Sequence, residues 1–417
     1  MEIIKNPFTS YLFTSKWLKH FCQNLPAYNF NFIGGLNFFK PGILPVFINT
    51  GRNLTKGVSY TLSKQKNKEF KNSVLLIYDV PAYVNVDISN TPENVILHKI
   101  KQYPGYLIEL HKYKDHNDYL ESNFSKNTNR KLKKYQKRLE LCFNITYKMY
   151  FGNISKKEYD FIFVCFKILL EKRFACKKTT NNNINPEEWA FYYEVAFPMI
   201  LEKSASLFVV YEGSNPIAVT LNYLSENILF DAITVFDNDY SKFNPGKIAL
   251  ANLTSWCFEN RIQYFDFSKG YFDYKTHWMS KKYDFEYHLY FDKTSFRSTF
   301  IGIAIKKYFE LKQFLRKTGL NNKLHELTFR FKKNDISNVT PSTYNFSEVT
   351  KEQQNMELQE IKPLSTEYKD LKSTINEFLF LNCESIYNLK VMKTLNNQST
   401  YLFIGKKVSR SITINCN

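Results

Sequence analysis

Three short strand-like segments follow one another between residues 206 and 235, and they restrict the fold more than any other feature. Glu-Gly-Ser-Asn, which is typical of a hairpin turn, separates the first two, and Ser-Glu separates the second from the third. Asn244-Pro245-Gly246 then predicts the start of a helix to about residue 260, before a further strand at 263–267. Antiparallel strands followed by a helix and another strand predict a mixed α/β (α+β) core with helices against a sheet.

The remaining predicted elements indicate the same fold class. A basic segment at 126–141 has apolar residues at helical spacing, and Ser155 with Glu158 forms a capping-box pattern at the next helix, 154–175. Residues 332–358 are polar, which is typical of a linker, and a small α/β extension follows at 359–417. The other helices are predicted at 15–21, 299–317 and 365–380, and the other strands at 43–48, 74–78, 106–110, 285–291, 401–404 and 411–414.

Apolar runs and cysteines exclude several classes of protein. The longest apolar run, 161–170, is ten residues long and contains Lys167, whereas a membrane-spanning helix needs about 20 apolar residues. The first residues lack the apolar stretch of a secretion signal. Seven cysteines without CxxC pairs exclude a disulfide framework and a zinc ribbon, and no metal-site spacing is present. We therefore expect a cytoplasmic, metal-free protein.

The net charge of +18 is a weak indicator of a nucleic-acid partner. Lysine supplies most of it, in a chain that is also rich in Asn, Ile, Phe and Tyr, the residues with AT-rich codons. The basic helix at 126–141 is either a solvated face or a surface for an anionic ligand. A second basic amphipathic helix, 301–317, is predicted to contact a membrane surface through the apolar residues on one of its sides, which are Ile301, Ile305, Tyr308, Phe309 and Leu315.

Two segments hold groups that could carry chemistry. The helix start at Asn244-Pro245-Gly246, with Lys242 and Lys247 beside it, is either an anion-binding helix end or an ordinary cap. About twenty residues further on, residues 266–278 place an acid at the end of a strand, then a glycine turn, then Tyr-Lys. Asp231 lies within an otherwise apolar strand, where a carboxylate is either half-exposed or functional.

The runs Tyr240–Gly246, Phe265–Gly270 and Tyr274–Trp278 together resemble a known family. In order and spacing they are similar to the GNAT-superfamily acyltransferases of the CelD-like group, bacterial proteins linked to cellulose and exopolysaccharide synthesis and related to the FemABX aminoacyl ligases. The basic helix with Arg130 and Lys134 fits the same pattern. The resemblance covers about residues 5–320 and is strongest at 206–280.

The resemblance implies two tandem GNAT-like lobes. The expected units are a degenerate first lobe at 1–125, an acyltransferase lobe at 126–331, the linker at 332–358 and an accessory segment at 359–417. The family's donor, acetyl-CoA or a longer acyl-CoA, would place its pyrophosphate on Lys242, Asn244, Pro245, Gly246 and Lys247. The family usually has a second glycine in this loop, whereas this chain has Gly246 alone.

Amide formation from a thioester needs a base for the attacking amine, donors for the oxyanion and a proton for the thiolate. Asp266 is the candidate base, directly or through water, and Tyr274 is the candidate proton donor to the thiolate. The resemblance to the FemABX enzymes implies that Lys275 is the oxyanion or phosphate partner, and Asp231 is a second candidate carboxylate. Arg130, Lys134 and Trp278 are the residues expected to bind the acceptor.

The implied activity is acyl transfer to the amine or hydroxyl of a small-molecule or glycan-precursor acceptor, such as an amino sugar or a lipid precursor. Two alternatives stay open: an aminoacyl-tRNA-dependent ligase of FemABX type, and a non-catalytic GNAT-like scaffold. No heptad-bearing arm for tRNA is recognisable, which favours the CoA donor over tRNA. The expected location is the cytoplasm, with peripheral contact at the inner face of the membrane; the oligomeric state is left open.

Overall fold

The structure is a computed structural model that describes residues 1–23, 25–64, 70–177, 184–318, 345–350, 353, 356–362, 371–395 and 400–413. The strands are β1 (Tyr28–Phe30), β2 (Ile33–Phe39), β3 (Val46–Asn49), β4 (Thr61–Leu62), β5 (Val74–Pro81), β6 (Val95–Glu109), β7 (Ile145–Tyr150), β8 (Ala205–Glu212), β9 (Asn215–Leu224), β10 (Ile228–Phe236), β11 (Tyr264–Lys269), β12 (Lys281–Asp292), β13 (Leu358–Ile361), β14 (Lys390–Thr394), β15 (Thr400–Ile404) and β16 (Ser409–Thr413). The helices are α1 (Tyr11–Phe21), α2 (His116–Asn123), α3 (Lys126–Cys142), α4 (Lys156–Lys177), α5 (Pro186–Leu201), α6 (Pro245–Glu259), α7 (Asp273–Trp278), α8 (Phe296–Lys317) and α9 (Lys372–Asn382).

One large mixed sheet runs through both halves of the chain. Its strand order is β1-β2-β3-β5-β12-β6-β11-β10-β9-β8-β7, with β4 paired to β2. Because β12 lies antiparallel between β5 and β6, the chain returns to the strands of its first half after completing the second. The sheet therefore continues across the expected lobe boundary at 125/126, and two separate lobes with these limits stay a prediction.

Helices cover both faces of this sheet. The core cluster on one face includes residues of α1, α4, α5 and α8, and the cluster on the other face includes residues of α2, α3 and α6. Since both faces are covered, every residue of β8 is buried, as are nine of the ten residues of β9. The predicted mixed α/β fold class is confirmed.

The predicted meander of β8, β9 and β10 forms as antiparallel pairs, and α3, α4, α6 and α8 begin within three residues of their predicted starts. Helix α5 was missed because its sequence is apolar on several sides and lacks a polar face to reveal the helical period. The six-residue α7 is too short for a periodic signal. Among the described residues, none of the helices combines the length and apolar character needed to cross a membrane.

The C-terminal extension packs against the loop that precedes α6. Strands β13–β16 form a separate antiparallel sheet, and α9 lies against the short 3-10 helix Asn238–Phe243. The Phe380 and Phe243 ring centroids are 5.1 Å apart, and Lys372 Nζ is 3.1 Å from Asp237. The predicted strands at 401–404 and 411–414 correspond to β15 and β16. The first residues of the predicted helix 365–380 and most of the predicted linker lie outside the described residues.

The contact between α8 and β12 predicts the effect of one substitution. A Cβ atom at Gly302 of α8 would lie 2.4 Å from the ring of buried Phe291. Gly302→Ala should therefore lower the free energy of unfolding by about 1–3 kcal/mol, although alanine is the better helix former. Urea denaturation measures this. Gly42→Ala is the control, because a Cβ there meets no atom within 4 Å. Equal stability of the two variants would contradict the tight contact.

Candidate active site

The parallel strands β10 and β11 pair at one end and separate at the other. Their residues, all of which the structure describes, pair at three positions, the last being Phe230 with Asp266. Just beyond, the register of β10 on β9 shifts between Asp231 and Ile233, which leaves Ala232 as the extra residue of a bulge. An opening beside the carboxyl ends of parallel strands is a common ligand site in α/β sheets.

Asp231 lies at this opening. Its side chain is 7% exposed, and one carboxylate oxygen accepts a hydrogen bond of 2.9 Å from Thr234 Oγ1. The other oxygen is 3.4 Å from the Tyr274 hydroxyl. Burial raises the pKa of Asp231, against the opposing effects of Thr234 and of the nearby Lys275 and Lys56. A carboxylate with a raised pKa and a free lone pair beside an opening is suited to accept a proton.

Tyr274 and Lys275 enter the site from α7, which follows β11. Burial of the Tyr274 hydroxyl raises its pKa well above the ordinary value, although the side chain as a whole is 41% exposed, so this group is a proton donor. Lys275 is 5% exposed, and its Nζ donates to the carbonyls of Phe267 and Lys269 at 2.7 and 3.0 Å. Burial lowers the pKa of Lys275 to about 8.

Asp266 is fully buried and surrounded by donors. The Tyr83 hydroxyl donates at 2.6 Å, the Tyr283 hydroxyl at 2.7 Å and the Ser268 amide at 2.6 Å. Burial raises the pKa of Asp266 to about 6, against the effects of these donors. The carboxylate that the sequence favoured as base thus holds β11, β12 and the loop after β5 together, whereas Asp231 has the more open position.

A second buried carboxylate, Asp79 of β5, fixes the end of β11. It accepts hydrogen bonds from Thr55 Oγ1 and Gln102 Nε2, both at 2.8 Å, and forms an ion pair with Lys269. Its φ of 64° places it in the left-handed region, which a non-glycine residue occupies only where its surroundings enforce it. The first half of the chain therefore sets the position of a strand end in the second half.

Lys56 is a site residue that the sequence analysis missed. Its carbonyl is 3.4 Å from Ser268 Oγ, so its backbone lies against the end of β11, and the side chain is half-buried. Burial lowers the pKa of Lys56 to about 8, and the charges of Lys269 and Lys275 add to this effect. No periodic or motif signal marks a lysine in this loop, so the sequence alone could not have identified it.

The predicted donor loop has the geometry of a helix start. Asn244 has a φ of 55°, Pro245 is the first residue of α6, and exposed Lys247 lies in the first turn. A Cβ at Gly246 would lie 2.9 Å from the ring of Phe236, so this glycine permits close packing against β10. Lys242 forms an ion pair of 2.6 Å with Glu377 of α9 and is therefore held by the C-terminal extension.

The predicted acceptor residues divide into two groups. Arg130 and Lys134 line an open cavity of about 1040 Å³ along α3, and Trp278 does not. Trp278 is 4% exposed, and its ring centroid is 5.0 Å from that of Phe124, so the structure shows it as a packing residue. Across the described part of the chain, no ion pair includes a cation of this cavity. Its lining residues are Glu121, Phe124, Lys126, Asn129, Arg130, Lys133, Lys134, Lys137, Arg138, Leu141 and Cys383.

Residues 122–276 match the family profile described as an acetyltransferase (GNAT) domain. The match extends from the end of α2 into α7 and contains every predicted site residue except Trp278. This match supports the predicted GNAT-type acetyltransferase domain in a little over a third of the chain, whereas membership of the CelD-like group stays a prediction. The sequence has no match among curated proteins.

Solved structures similar to this one include those of three named proteins. L-PGS from Bacillus licheniformis is 12% identical in sequence, and the match covers 73% of this chain and 98% of the L-PGS chain with a TM-score of 0.41. FemX is 10% identical, and the match covers 61% of this chain and 83% of the FemX chain with a TM-score of 0.43. A tandem GNAT protein from the clavulanic acid biosynthesis pathway is 8% identical, and the match covers 66% of this chain and 94% of that protein's chain with a TM-score of 0.32. Similarities of this size transfer no activity to this chain.

Buried Asp266 predicts a specific dependence of stability on pH. Its pKa in the folded protein, about 6, is above the ordinary 3.8, so the folded state binds the proton more tightly than the unfolded state does. Its ionisation therefore costs stability as the pH rises from about 4 to about 6, by about 3 kcal/mol in total.

Asp266→Asn should remove this part of the pH dependence. Urea denaturation between pH 4 and pH 7 should show a free energy of unfolding that falls less steeply with pH in the variant than in the wild type. Parallel curves for the two proteins would contradict the assignment of a proton to Asp266.

Proposed function

We propose that the opening between β10 and β11 is an acyl-transfer site, in which an acyl thioester reacts with an amine or hydroxyl acceptor. The position of Asp231 carries this proposal. It is a buried carboxylate with one lightly engaged oxygen, at a β-bulge and beside a tyrosine hydroxyl. The acetyltransferase (GNAT) match of residues 122–276 supports the reaction class.

The reaction balances with the groups present at the opening. Asp231 accepts a proton from the acceptor amine as the nitrogen attacks the thioester carbonyl. The oxyanion accepts hydrogen bonds from backbone N–H groups at the bulge around Ala232. As the tetrahedral intermediate collapses, the carbon–sulfur bond breaks and the Tyr274 hydroxyl protonates the leaving thiolate. Proton transfer from Asp231 to Tyr274 through solvent restores both groups.

Lys275 and Asp266 act mainly as positioning residues in this mechanism. Lys275 donates to the last carbonyls of β11, and Asp266 ties that strand to two tyrosines from other elements. Both arrangements keep β11 in the path that leaves the space next to β10 open. Asp266 as base and Lys275 as oxyanion partner stay predictions. Either role would require the side chain to give up hydrogen bonds that it makes in this structure, Asp266 to the two tyrosines and Lys275 to the carbonyls of β11.

An acyl-CoA, either acetyl-CoA or a longer one, is the proposed donor. Gly246 in the first turn of α6 packs closely on Phe236, the last residue of β10, so the first amide groups of α6 and the positive end of its dipole lie near the carboxyl end of this strand. Lys247 is exposed in the first turn and available for a phosphate. Lys242 would have to exchange its contact with Glu377 for one with the ligand.

The proposed acceptor is a small molecule or glycan precursor, such as an amino sugar, with an anionic part. Six cations line the cavity on α3, among them Arg130 and Lys134, and only one acid, Glu121, lies with them. Charges arranged in this way complement phosphate or carboxylate groups. Phe124 of this cavity packs against Trp278 of α7, the helix that also carries Tyr274.

The same cations favour one alternative function, ligation from an aminoacyl-tRNA. A basic helix without ion pairs is also suited to a nucleic-acid backbone. Calorimetry with acetyl-CoA and with bulk tRNA separates the two donors. Tight tRNA binding without acetyl-CoA binding would assign the protein to the ligase class. Binding of neither ligand would favour the non-catalytic scaffold.

Replacement of Asp231 tests the base directly. Asp231→Asn should lower the rate of acetyl transfer to a panel of amino-sugar acceptors by about 100-fold or more, because proton abstraction is lost. Thiol release from acetyl-CoA measures the rate, and calorimetry should show unchanged acetyl-CoA binding.

Glu212→Gln is the matched control, since Glu212 is equally buried on β8 and burial also raises its pKa. This variant should keep the wild-type rate. Equal rates in Asp231→Asn and the wild type would exclude Asp231 as the base.

The donor loop generates a separate prediction. Lys247→Glu should weaken acetyl-CoA binding by about tenfold, because one favourable phosphate contact becomes repulsive. Lys293→Glu, an equal charge change at an exposed position after β12, is the control and should bind normally. Gly246 is the less informative position, since a larger residue there would also disturb the packing on Phe236. Equal affinities of the two lysine variants would contradict the predicted donor loop.

A further inference from the structure

Helix α8 exposes a stripe of large apolar side chains along its length. Phe296 is 89% exposed, Phe300 67% and Phe314 61%, and Ile303 and Leu311 are about half exposed. The spacings between these residues are four, three, eight and three, so at 100° per residue they lie on one side of the helix. We define these five residues as the α8 stripe. Exposed apolar residues in a row, rather than scattered singly, are typical of an interaction surface.

Packing among the described residues does not account for the α8 stripe. The face of α8 that meets the sheet carries other apolar residues, namely Ile301, Ile305 and Phe309. These belong to the set that the sequence analysis placed on one side of the helix as a membrane-contacting face. The structure instead shows that part of the set packing against the core, while a second apolar face points outward.

The opposite side of α8, away from the stripe, is linked to the rim of the candidate active site. Near its end, the Arg316 guanidinium lies 3.6 Å from the ring centroid of Tyr103, whose ring is 6.1 Å from that of Tyr271. Tyr271 and its neighbour Phe272 are 61% and 57% exposed and directly precede the helix that carries Tyr274 and Lys275. At 100° per residue, Arg316 lies on the side of α8 opposite the stripe, so the stripe and the aromatic rim are two separate exposed apolar surfaces.

The charges on α8 select among possible occupants of the α8 stripe. Arg297, Lys307 and Lys312 are exposed, and Glu310 is the single acid of the helix. Two copies of the chain packed through α8 would bring like charges together, which is costly. An anionic lipid surface complements both features, since aromatic side chains enter the boundary of headgroups and acyl chains while lysine and arginine contact the phosphates.

We propose that the α8 stripe docks this protein on an anionic lipid surface. Resting on the proposed function, a consequence is that the acceptor is an amphiphile of the same membrane.

Vesicle sedimentation with the full chain tests the docking. The probes are phosphatidylcholine vesicles with roughly one-third phosphatidylglycerol, and pure phosphatidylcholine vesicles. The wild type should bind the anionic vesicles at physiological salt and bind the neutral ones more weakly. F300E/F314E should lower vesicle binding by at least about tenfold, because two apolar anchors are lost and two negative charges are gained.

The matched control is I43E/Y387E, which makes the same charge change at two other exposed positions. It should bind vesicles nearly as the wild type does, and all three proteins should keep the same thermal midpoint. Absence of wild-type binding to anionic vesicles, or equal binding by the two double variants, would overturn the proposal. Self-association that F300E/F314E abolishes, without vesicle binding, would assign the stripe to a second copy instead.

Acetyl-CoA calorimetry separates this proposal from the proposed function. F300E/F314E should bind acetyl-CoA as the wild type does, since the stripe lies outside the opening. Normal acetyl-CoA binding with no vesicle binding would remove the docking alone. Vesicle binding with no acetyl-CoA affinity would instead remove the acyl-CoA donor and leave the docking intact.

Discussion

The buried charges at the end of β11 are the constraint on which the candidate site depends. Asp79 forms an ion pair with Lys269, and Lys275 donates to the last carbonyls of the same strand. Breaking a buried pair of this kind leaves an uncompensated charge, which is strongly destabilising. The strand end is therefore held away from β10, and the space between them stays open. Because Asp79 belongs to β5, the first half of the chain is part of the site's framework.

Much of the second half of the chain was predictable from its sequence because its signals are local. The turn before β9 and the proline at the start of α6 both specify backbone geometry within a few residues. The position of β12 was not predictable, since its pairing with β5 and β6 is decided by contacts between residues that are 174 to 217 positions apart. The same reason explains why Lys56, placed by a contact with Ser268, was missed.

The two candidate carboxylates show why a motif does not by itself assign a role. Asp266 lies in the more recognisable run, yet tyrosines from two other elements saturate it. Asp231 lies in an ordinary apolar strand, and only the bulge and the separation of β11 place it beside an opening. Burial raises the pKa of both groups, so geometry rather than titration distinguishes them.

Hydrogen–deuterium exchange with and without acetyl-CoA tests the central claim that the opening between β10 and β11 binds the acyl donor. Bound acetyl-CoA should slow the exchange of backbone amides in 228–236, in the first turn of α6 and in 264–275, with little change along α3. Protection confined to α3, or no protection in the presence of saturating acetyl-CoA, would contradict the claim.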